Sequence, residues 1–292
     1  MKNNRFFILF ISICSLLSTE AQNKDVTITA IKVSKDVYML TGQGGNIGIY
    51  VGASSVFMID DQYAHLSKKI KEKINELTNK PITVLFNTHM HGDHTGGNGN
   101  FNSPDITLVA HDNVRKSLQS RLDANTNSDQ TILPELTFSK NITFHDGEET
   151  IMAFHVHNAH TNGDAMVYFL ENNVLHMGDT YFSGRYPYID LKNGGSIEGY
   201  INANKRALVL IDAETKIIPG HGKLSNKKEL ETYVAMLEDI KLKVQKAIDA
   251  NSSMKKVLED SKLTADYDKT HGNGFISPKK IREAFYKSLK GE

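Results

Sequence analysis

The sequence predicts a mixed α/β fold in which two β-sheets are flanked by helices. Runs of residues typical of strands occur in two groups, and segments with apolar residues at helical spacing accompany each group. Candidate metal ligands follow directly after several strands, which is where sites form at the rim of a sheet. No low-complexity linker and no repeat divides residues 22–292, so we expect them to form one domain.

Apolar and β-branched runs predict the strands of the first half. They cover Val26–Val33, Val37–Thr41, Ile47–Val51, Ser55–Ile59, Ile82–Phe86 and Ile106–Val109. A helix before Pro81 is indicated by apolar residues at helical spacing, namely Leu66, Ile70, Ile74 and Leu77. A second helix is predicted to begin near Asp112, and the polar stretch from Asp123 to Gln130 is predicted to be an exposed loop.

The second half begins with a predicted hairpin. Alternating residues over Thr137–Phe144 and Thr150–His157 flank a turn at Asp146-Gly147. Further strands are predicted over Met166–Leu170, Val174–Met177 and Lys216–Ile218. Capping residues predict the starts of three helices, at Ser196, at Asn226 with Glu229, and at Ser277-Pro278.

The overall charge argues against a polyanionic partner. The chain of 292 residues has 34 Lys and Arg residues against 34 Asp and Glu residues. A nucleic-acid or anionic-membrane surface normally has a clear excess of positive charge. We therefore expect no nucleic-acid partner, whereas the oligomeric state is left open. The small-molecule substrate that we expect follows from the resemblance described below.

The first 21 residues have the pattern of a secretory signal peptide. Lys2 and Arg5 precede a short apolar core, Phe6–Leu17, and Thr19-Glu20-Ala21 has small residues at both cleavage-determining positions. The apolar core is too short for a stable membrane anchor. We predict cleavage near Ala21 and a periplasmic or secreted protein.

Cysteine usage restricts the chemistry of the mature chain. Cys14 is the only cysteine and lies in the predicted signal peptide. Bulky Ile13 before it disfavours lipid attachment at this position. The mature chain is therefore expected to have neither a disulfide nor a thiolate ligand, so nitrogen and oxygen atoms must hold any metal ion.

A cluster of candidate metal ligands follows the predicted strand Ile82–Phe86. His89, His91, Asp93 and His94 lie within six residues of one another. Imidazole and carboxylate groups suit zinc and related ions, so this spacing indicates a metal site. Three further residues have a similar placement in a loop or directly after a strand, namely His160, Asp179 and His221.

These segments together resemble the metallo-β-lactamase superfamily. The resemblance rests on His89-Met90-His91-Gly92-Asp93-His94, His160-Thr161, Gly178-Asp179 and Pro219-Gly220-His221-Gly222. Their order and spacing match across nearly the whole mature chain. The resemblance implies an αββα four-layer sandwich with a dinuclear zinc site at its rim.

The resemblance also implies a role for each ligand. His89, His91 and His160 would bind the first metal, and Asp93, His94 and His221 the second, with Asp179 bridging both. The expected cofactors are two zinc ions, with iron or manganese as alternatives. A hydroxide shared by the metals would cleave an ester, lactone, thioester, phosphodiester or amide-type bond. Asp93 is the predicted catalytic residue, which positions this nucleophile or moves a proton.

Asp179 departs from the familiar zinc β-lactamases, which have Cys at this position, and from another group that has Ser. An acidic residue resembles the thioesterase, lactonase, phosphodiesterase and general hydrolase branches. β-Lactam hydrolysis stays an alternative, as does an iron-dependent oxidoreductase on the same fold. A metal-binding module without activity is a third alternative, which the complete set of seven ligands disfavours.

Several other residues are assigned more general roles. Asn46, Tyr181 and Tyr186 are candidate substrate-binding residues, together with Phe182 and Tyr188 of the same aromatic run. Asp60 and Asp164 are each expected either to orient a ligand or to cap a turn or helix. Two histidines near His160 are expected to be structural or to support the ligands, namely His155 and His157. The other histidines outside the motifs are expected to have no special role, namely His65, His111, His145, His176 and His271.

Overall fold

The computed structural model describes residues 26–124 and 132–292. The predicted signal peptide, with Cys14, lies outside the described residues, and so does the predicted loop beyond Ala124. Their assignments stay predictions.

Two sheets form the centre of the described structure. The first has the order β1-β2-β3-β4-β5-β6-β7, and the second has the order β13-β12-β11-β10-β9-β8. The strands of the first sheet are β1 Thr29–Lys32, β2 Val37–Thr41, β3 Ile47–Val51, β4 Val56–Ile59, β5 Ile82–Asn87, β6 Thr107–His111 and β7 Leu136–Phe138. Those of the second are β8 Asn141–Asp146, β9 Glu149–His155, β10 Ala165–Phe169, β11 Val174–Phe182, β12 Lys216–His221 and β13 Ser225–Asn226.

The helices lie between and after these strands. They are α1 Ser67–Leu77, α2 Gly92–Thr95, α3 Asn98–Phe101, α4 Asp112–Asp123, α5 Ile197–Leu210, α6 Lys227–Asp249, α7 Met254–Glu259, α8 Ala265–His271 and α9 Pro278–Lys290. The predicted caps are present, because Ser196, Asn226 and Ser277 each accept a hydrogen bond from a backbone N–H three residues later. No helix in the described ranges is long and apolar enough to cross a membrane.

Three of the four apolar cores in the described residues arrange the elements in four layers. One core contains side chains of both sheets, such as Phe57 and Phe86 from the first and Val167 from the second. Helix α1 covers the outer face of the first sheet with Ile70 and Ile74. Helices α5, α6 and α9 pack in the third core together with residues of β11 and β12. The predicted arrangement of two sheets flanked by helices is therefore confirmed.

The segment predicted as one strand over Thr137–Phe144 is two strands in different sheets. Strand β7 pairs in parallel with β6, whereas β8 pairs with β9 in the hairpin that turns at Asp146-Gly147. The chain bends at Ser139 and Lys140 and crosses from one sheet to the other. Both strands carry alternating residues, so the local pattern did not reveal the crossing. The short helices α7 and α8 were not predicted either.

Candidate metal centre

The candidate ligands come from the ends of parallel strands. Strands β4, β5 and β6 are mutually parallel, and β11 is parallel to β12. His89 and His91 follow β5, and the short helix α2 carries Asp93 and His94. Asp179 lies within β11, His221 ends β12, and His160 lies in the loop between β9 and β10. Ligands far apart in the chain therefore meet at one rim.

The structure brings all seven predicted ligands together in two adjacent groups. One group is formed by His89, His91, His160 and Asp179, and the other by Asp93, His94 and His221. In each group the ligand atoms lie within 4.8 Å of one another. His91 Nδ1 and His160 Nε2 are 2.8 Å apart, so both nitrogens face the same point.

The carboxylate of Asp179 faces both groups. Its Oδ1 lies 3.1 Å from His94 Nε2 and 3.4 Å from His221 Nε2. Its Oδ2 lies 3.4 Å from His160 Nε2 and 3.7 Å from His89 Nε2. Each oxygen is thus directed to a different set of histidines, as a carboxylate that spans two ions requires.

Two buried polar atoms at the centre have no hydrogen-bond partner in the described structure. They are His89 Nε2 and Asp179 Oδ1. An unsatisfied buried polar group costs free energy, and a metal ion is one partner that relieves this cost. These atoms and the nitrogen and oxygen donors around them fit a pair of divalent ions such as zinc.

Burial and mutual charge set the protonation of the ligands. Burial lowers the pKa of His89 well below its usual value and the pKa of His160 to about 4, which favours the neutral imidazole that metals require. Burial alone would raise the pKa of Asp179, but His94, His221 and His89 hold it well below its usual range. Burial would lower the pKa of His221, but Asp179 and Asp93 raise it to about 9.

Asp60 orients two of the ligands. Its buried carboxylate accepts hydrogen bonds from His94 Nδ1 at 2.7 Å, from the Thr88 backbone N–H at 2.8 Å and from Thr88 Oγ1 at 2.7 Å. Thr88 Oγ1 in turn lies 3.1 Å from His89 Nδ1. Protons on the Nδ1 atoms of both histidines leave their Nε2 atoms free for metal. Of the two alternatives for Asp60, the structure shows the orienting contact.

A second orienting segment was not predicted. His91 Nε2 donates to the carboxylate of Asp190 at 2.9 Å, and His160 Nδ1 donates to the backbone carbonyl of Tyr188 at 2.7 Å. Burial would raise the pKa of Asp190, but the hydrogen bonds from His91 and Asn193 lower it to about 2. No local motif marks these residues, because Asp190 lies 99 positions from His91.

Three predicted substrate-binding residues are buried and hydrogen-bonded within the fold, which contradicts that prediction, namely Asn46, Tyr181 and Tyr186. Tyr181 is 2% exposed and its hydroxyl lies 2.8 Å from Ser225 Oγ, while Tyr186 is 1% exposed and donates to Asp268. Both rings belong to the core beneath the helices and are not free to contact a substrate.

Asn46 and Phe182 lie beside the turn that carries His221. The buried side-chain amide of Asn46 donates to the carbonyls of Pro219 at 2.9 Å and Gly222 at 3.0 Å, so it holds the His221 turn and is not free for a substrate. A Cβ at Gly220 in that turn would overlap with Asp179 Oδ1, which explains the need for glycine there. The ring of Phe182 stacks on His221 with centroids 5.2 Å apart.

The remaining histidines and Asp164 lie outside the two groups. His155 stacks on His111 with centroids 3.9 Å apart and contacts the Asp164 carbonyl through Nδ1, which is a structural role, and His157 is exposed. The Asp164 carboxylate accepts from the backbone N–H and the hydroxyl of Thr161. It therefore fixes the turn that follows His160. His176 is buried and contacts the carbonyl of Asn46.

The sequence was compared with models of known protein families, and one family matches. A family model for the metallo-beta-lactamase superfamily matches residues 41–221, so residues 222–292 lie beyond the match. Comparison with curated proteins gives no match.

Several solved structures are similar in fold. A metallo-beta-lactamase from Pontibacter korlensis superposes with a TM-score of 0.63 at 17% identity and covers 73% of this chain and 100% of its own. DIM-1 metallo-beta-lactamase gives 0.61 at 19% identity, covering 73% and 99%. VMB-1 gives 0.60 at 20% identity, covering 72% and 96%. At these identities the likeness extends to the fold alone. Together with the family match over residues 41–221, it shows that this chain belongs to the metallo-β-lactamase superfamily.

Proposed function

We propose that this protein is a zinc-dependent hydrolase with two metal ions, and that it cleaves an ester, lactone, thioester, phosphodiester or amide-type bond in a small molecule. The observation that carries the proposal is the buried carboxylate of Asp179, whose two oxygens face different groups of histidines. Seven nitrogen and oxygen ligands also exceed what one tetrahedral zinc ion uses.

The ligands divide between the two ions as the two groups of side chains suggest. His89, His91 and His160 would hold one ion and the second group, Asp93, His94 and His221, the other, with Asp179 shared. When bound, the ions supply Lewis acidity, which polarises the scissile group and makes water more acidic. The neutral states of His89 and His160 and the ionised state of Asp179 suit these roles.

The ligands that are not fully buried mark the side from which a substrate would approach. The side chains of His91, Asp93 and His221 are 18%, 24% and 19% exposed, whereas the other four are buried. Asp93 is the most accessible carboxylate of the centre, and its Oδ2 lies 3.2 Å from His221 Nε2. We assign Asp93 the transfer of a proton from the attacking water to the leaving group.

The proposal is tested with a substrate screen. The isolated protein is assayed against lactones, esters, thioesters, phosphodiesters and β-lactams, each with and without a chelator, and its metal content is measured. β-Lactams are included because the similar solved structures are named as β-lactamases. Hydrolysis that the chelator abolishes and added zinc restores supports the proposal. Oxygen uptake with iron as the bound metal, or no turnover of any class, would contradict it.

We also propose that the protein is exported and loses residues 1–21. The charged start, the short apolar core and the small residues up to Ala21 support this. N-terminal sequencing of protein recovered from the periplasm or medium is expected to begin after Ala21, and a start at Met1 would contradict export by this route.

A further inference from the structure

A cleft of about 610 Å³ lies between residues 187–192 and the segment 275–287 that leads into and includes much of helix α9. We call it the α9 cleft. Its volume is within the range of small-molecule pockets. Its lining is largely apolar and includes Tyr188, Ile189, Leu191, Phe275, Ile276 and Ala284.

The α9 cleft shares a wall with the candidate metal centre. Asp190 lines the cleft and accepts the hydrogen bond of His91. The ring of Tyr188 also lines the cleft, and its centroid lies 5.8 Å from that of His91 and 5.7 Å from that of His160. His91 is one of the partly exposed ligands. Tyr188 and Asp190 therefore lie between the cleft and the ligands, and a group attached to a bond at the metal centre would reach the cleft past Tyr188.

Two aromatic rings stand at the cleft with much of their surface uncovered. Phe275 is 76% exposed and Tyr188 is 36% exposed. Their centroids lie 6.0 Å apart with the rings edge to face. Exposed apolar surface that is contiguous with a largely apolar cavity is typical of a ligand-binding site. This pair offers apolar contact and little hydrogen bonding.

The outer wall is held in place by the core and by helix caps. Ile276 next to Phe275 is buried, and Ser277 caps α9 with Pro278 at its first turn. Arg282 on α9 is buried and donates to the carbonyl of Leu258 and to Thr264. Phe275 thus lies close to a fixed helix start, so its backbone loses little conformational entropy when a ligand binds.

Charged residues also line the cleft, three of each sign, namely Asp190, Glu283, Glu292, Lys192, Lys280 and Lys287. Lys287 pairs with Glu283 at 2.6 Å, and Lys280 places its ammonium 5.1 Å from the centre of the Phe275 ring. The long stems of such lysines cover apolar surface while their charges remain in water. Because acidic and basic residues balance, the lining has no net charge to attract an ionic group, and its apolar surface favours an apolar one.

We infer that the α9 cleft binds the apolar part of the substrate, an alkyl or aryl group attached to the bond that is cleaved, and that Phe275 and Tyr188 are its main contacts. Because it assigns the cleft to one part of a hydrolase substrate, this inference rests on the proposed hydrolase function. The outer wall belongs to chain beyond residue 221, so the preference is a property of this protein's own C-terminal helices.

Two matched series of neutral compounds test the inference on the protein as isolated. The first consists of γ-lactones whose alkyl group grows from none to hexyl, and kcat/KM is measured for each. The second consists of cyclopentanones with the same alkyl groups, which cannot be hydrolysed, and their Kd is measured by calorimetry. In the wild type, both kcat/KM and affinity are expected to rise by about fourfold or less per added methylene.

The variant Phe275→Ala is expected to bind the hexyl cyclopentanone roughly tenfold more weakly and to flatten both series. The matched control is Leu242→Ala, which removes a 53% exposed apolar side chain from α6, outside the cleft. It is expected to behave as the wild type. Circular dichroism melting of each variant checks that the fold is kept.

The two proposals fail in different ways. Affinity that rises with alkyl length and depends on Phe275, without lactone turnover, supports the cleft and counts against lactone hydrolysis. Turnover with no dependence on alkyl length contradicts the assignment of the cleft to the substrate and leaves the hydrolase proposal intact. A full length dependence retained in Phe275→Ala also overturns the cleft.

Discussion

Replacing Asp60 with Asn isolates the contribution of an orienting group to metal binding. Asp60 has a φ of 60°, and Asn is among the few residues that adopt such a conformation readily. The variant therefore keeps the backbone and the side-chain shape. It changes one hydrogen-bond acceptor into a donor, either at Oδ2, which accepts from His94 Nδ1 and the Thr88 hydroxyl, or at Oδ1, which accepts from the Thr88 backbone N–H.

The expected effect follows from the proton positions. An amide N–H directed at His94 Nδ1 favours the tautomer with its proton on Nε2, the atom that would bind metal. The same oxygen, Oδ2, also accepts from the Thr88 hydroxyl, so in this orientation that hydroxyl loses its acceptor and the contact to His89 changes. In the other orientation the amide N–H meets the backbone N–H of Thr88, which leaves that donor without its acceptor. Loss of such an orienting partner typically costs about 10- to 100-fold in metal affinity. This corresponds to about 1.4–2.7 kcal/mol.

A competition titration with a chromophoric chelator measures this loss for wild type and Asp60→Asn. The control is Asp212→Asn, which alters an exposed carboxylate that accepts from the backbone N–H groups of Glu214 and Thr215 at 2.9 Å. The control is expected to bind metal as the wild type does. If Asp60→Asn retains the wild-type affinity for both ions, Asp60 does not set the tautomers and the reasoning is refuted.

Three further predictions concern the ligands themselves. Elemental analysis is expected to give two ions per chain, falling to about one in Asp93→Ala or His221→Ala; a single ion in the wild type would refute the dinuclear centre. Asp179→Asn keeps the shape but loses charge, and kcat/KM for the best substrate is expected to fall by about 10²-fold or more; unchanged turnover with both ions bound would show that Asp179 is only structural. Because Asp179 and Asp93 raise the pKa of His221 to about 9 in the metal-free protein, metal binding must displace its proton. Burial would lower the pKa of His94, but Asp179 and Asp60 raise it well above its usual value, so metal binding displaces a proton there too. Affinity is therefore expected to fall by about tenfold or more for each pH unit from 9 towards neutrality, and a flat chelator titration over this range would contradict it.

Local sequence patterns predicted the ligand-bearing parts of the fold well. His89, His91, Asp93 and His94 lie together in the chain, and β5 before them has a clear apolar pattern. Caps such as Ser196 and Asn226 are also local features, and both were predicted. What the sequence did not reveal depends on contacts between distant segments, such as Asp190 with His91.

The error at Tyr181 has a physical cause in the position of its strand. All residues of β11 are buried, because the strand lies inside its sheet and is covered on both faces. Its sequence therefore shows no polar–apolar alternation from which the face of each side chain can be read. Asp179 reaches the metal centre, and Phe182 contacts both His221 and the helix-side core, whereas Tyr181 belongs to that core and hydrogen-bonds with Ser225. Only the three-dimensional structure separates these roles.

The short segment from Tyr188 to Asp190 contributes both to metal binding and to the lining of the α9 cleft, so these two properties cannot evolve independently. It supplies acceptors to His91 and His160, and it also forms the inner wall of the α9 cleft. A substitution of Asp190 that suits a new substrate would thus weaken metal binding. The opposite wall at Phe275 and Ala284 contacts the cleft without touching a ligand, so new specificities are most accessible through variation there. A mutational library restricted to that wall should yield altered substrate ranges with an intact metal centre.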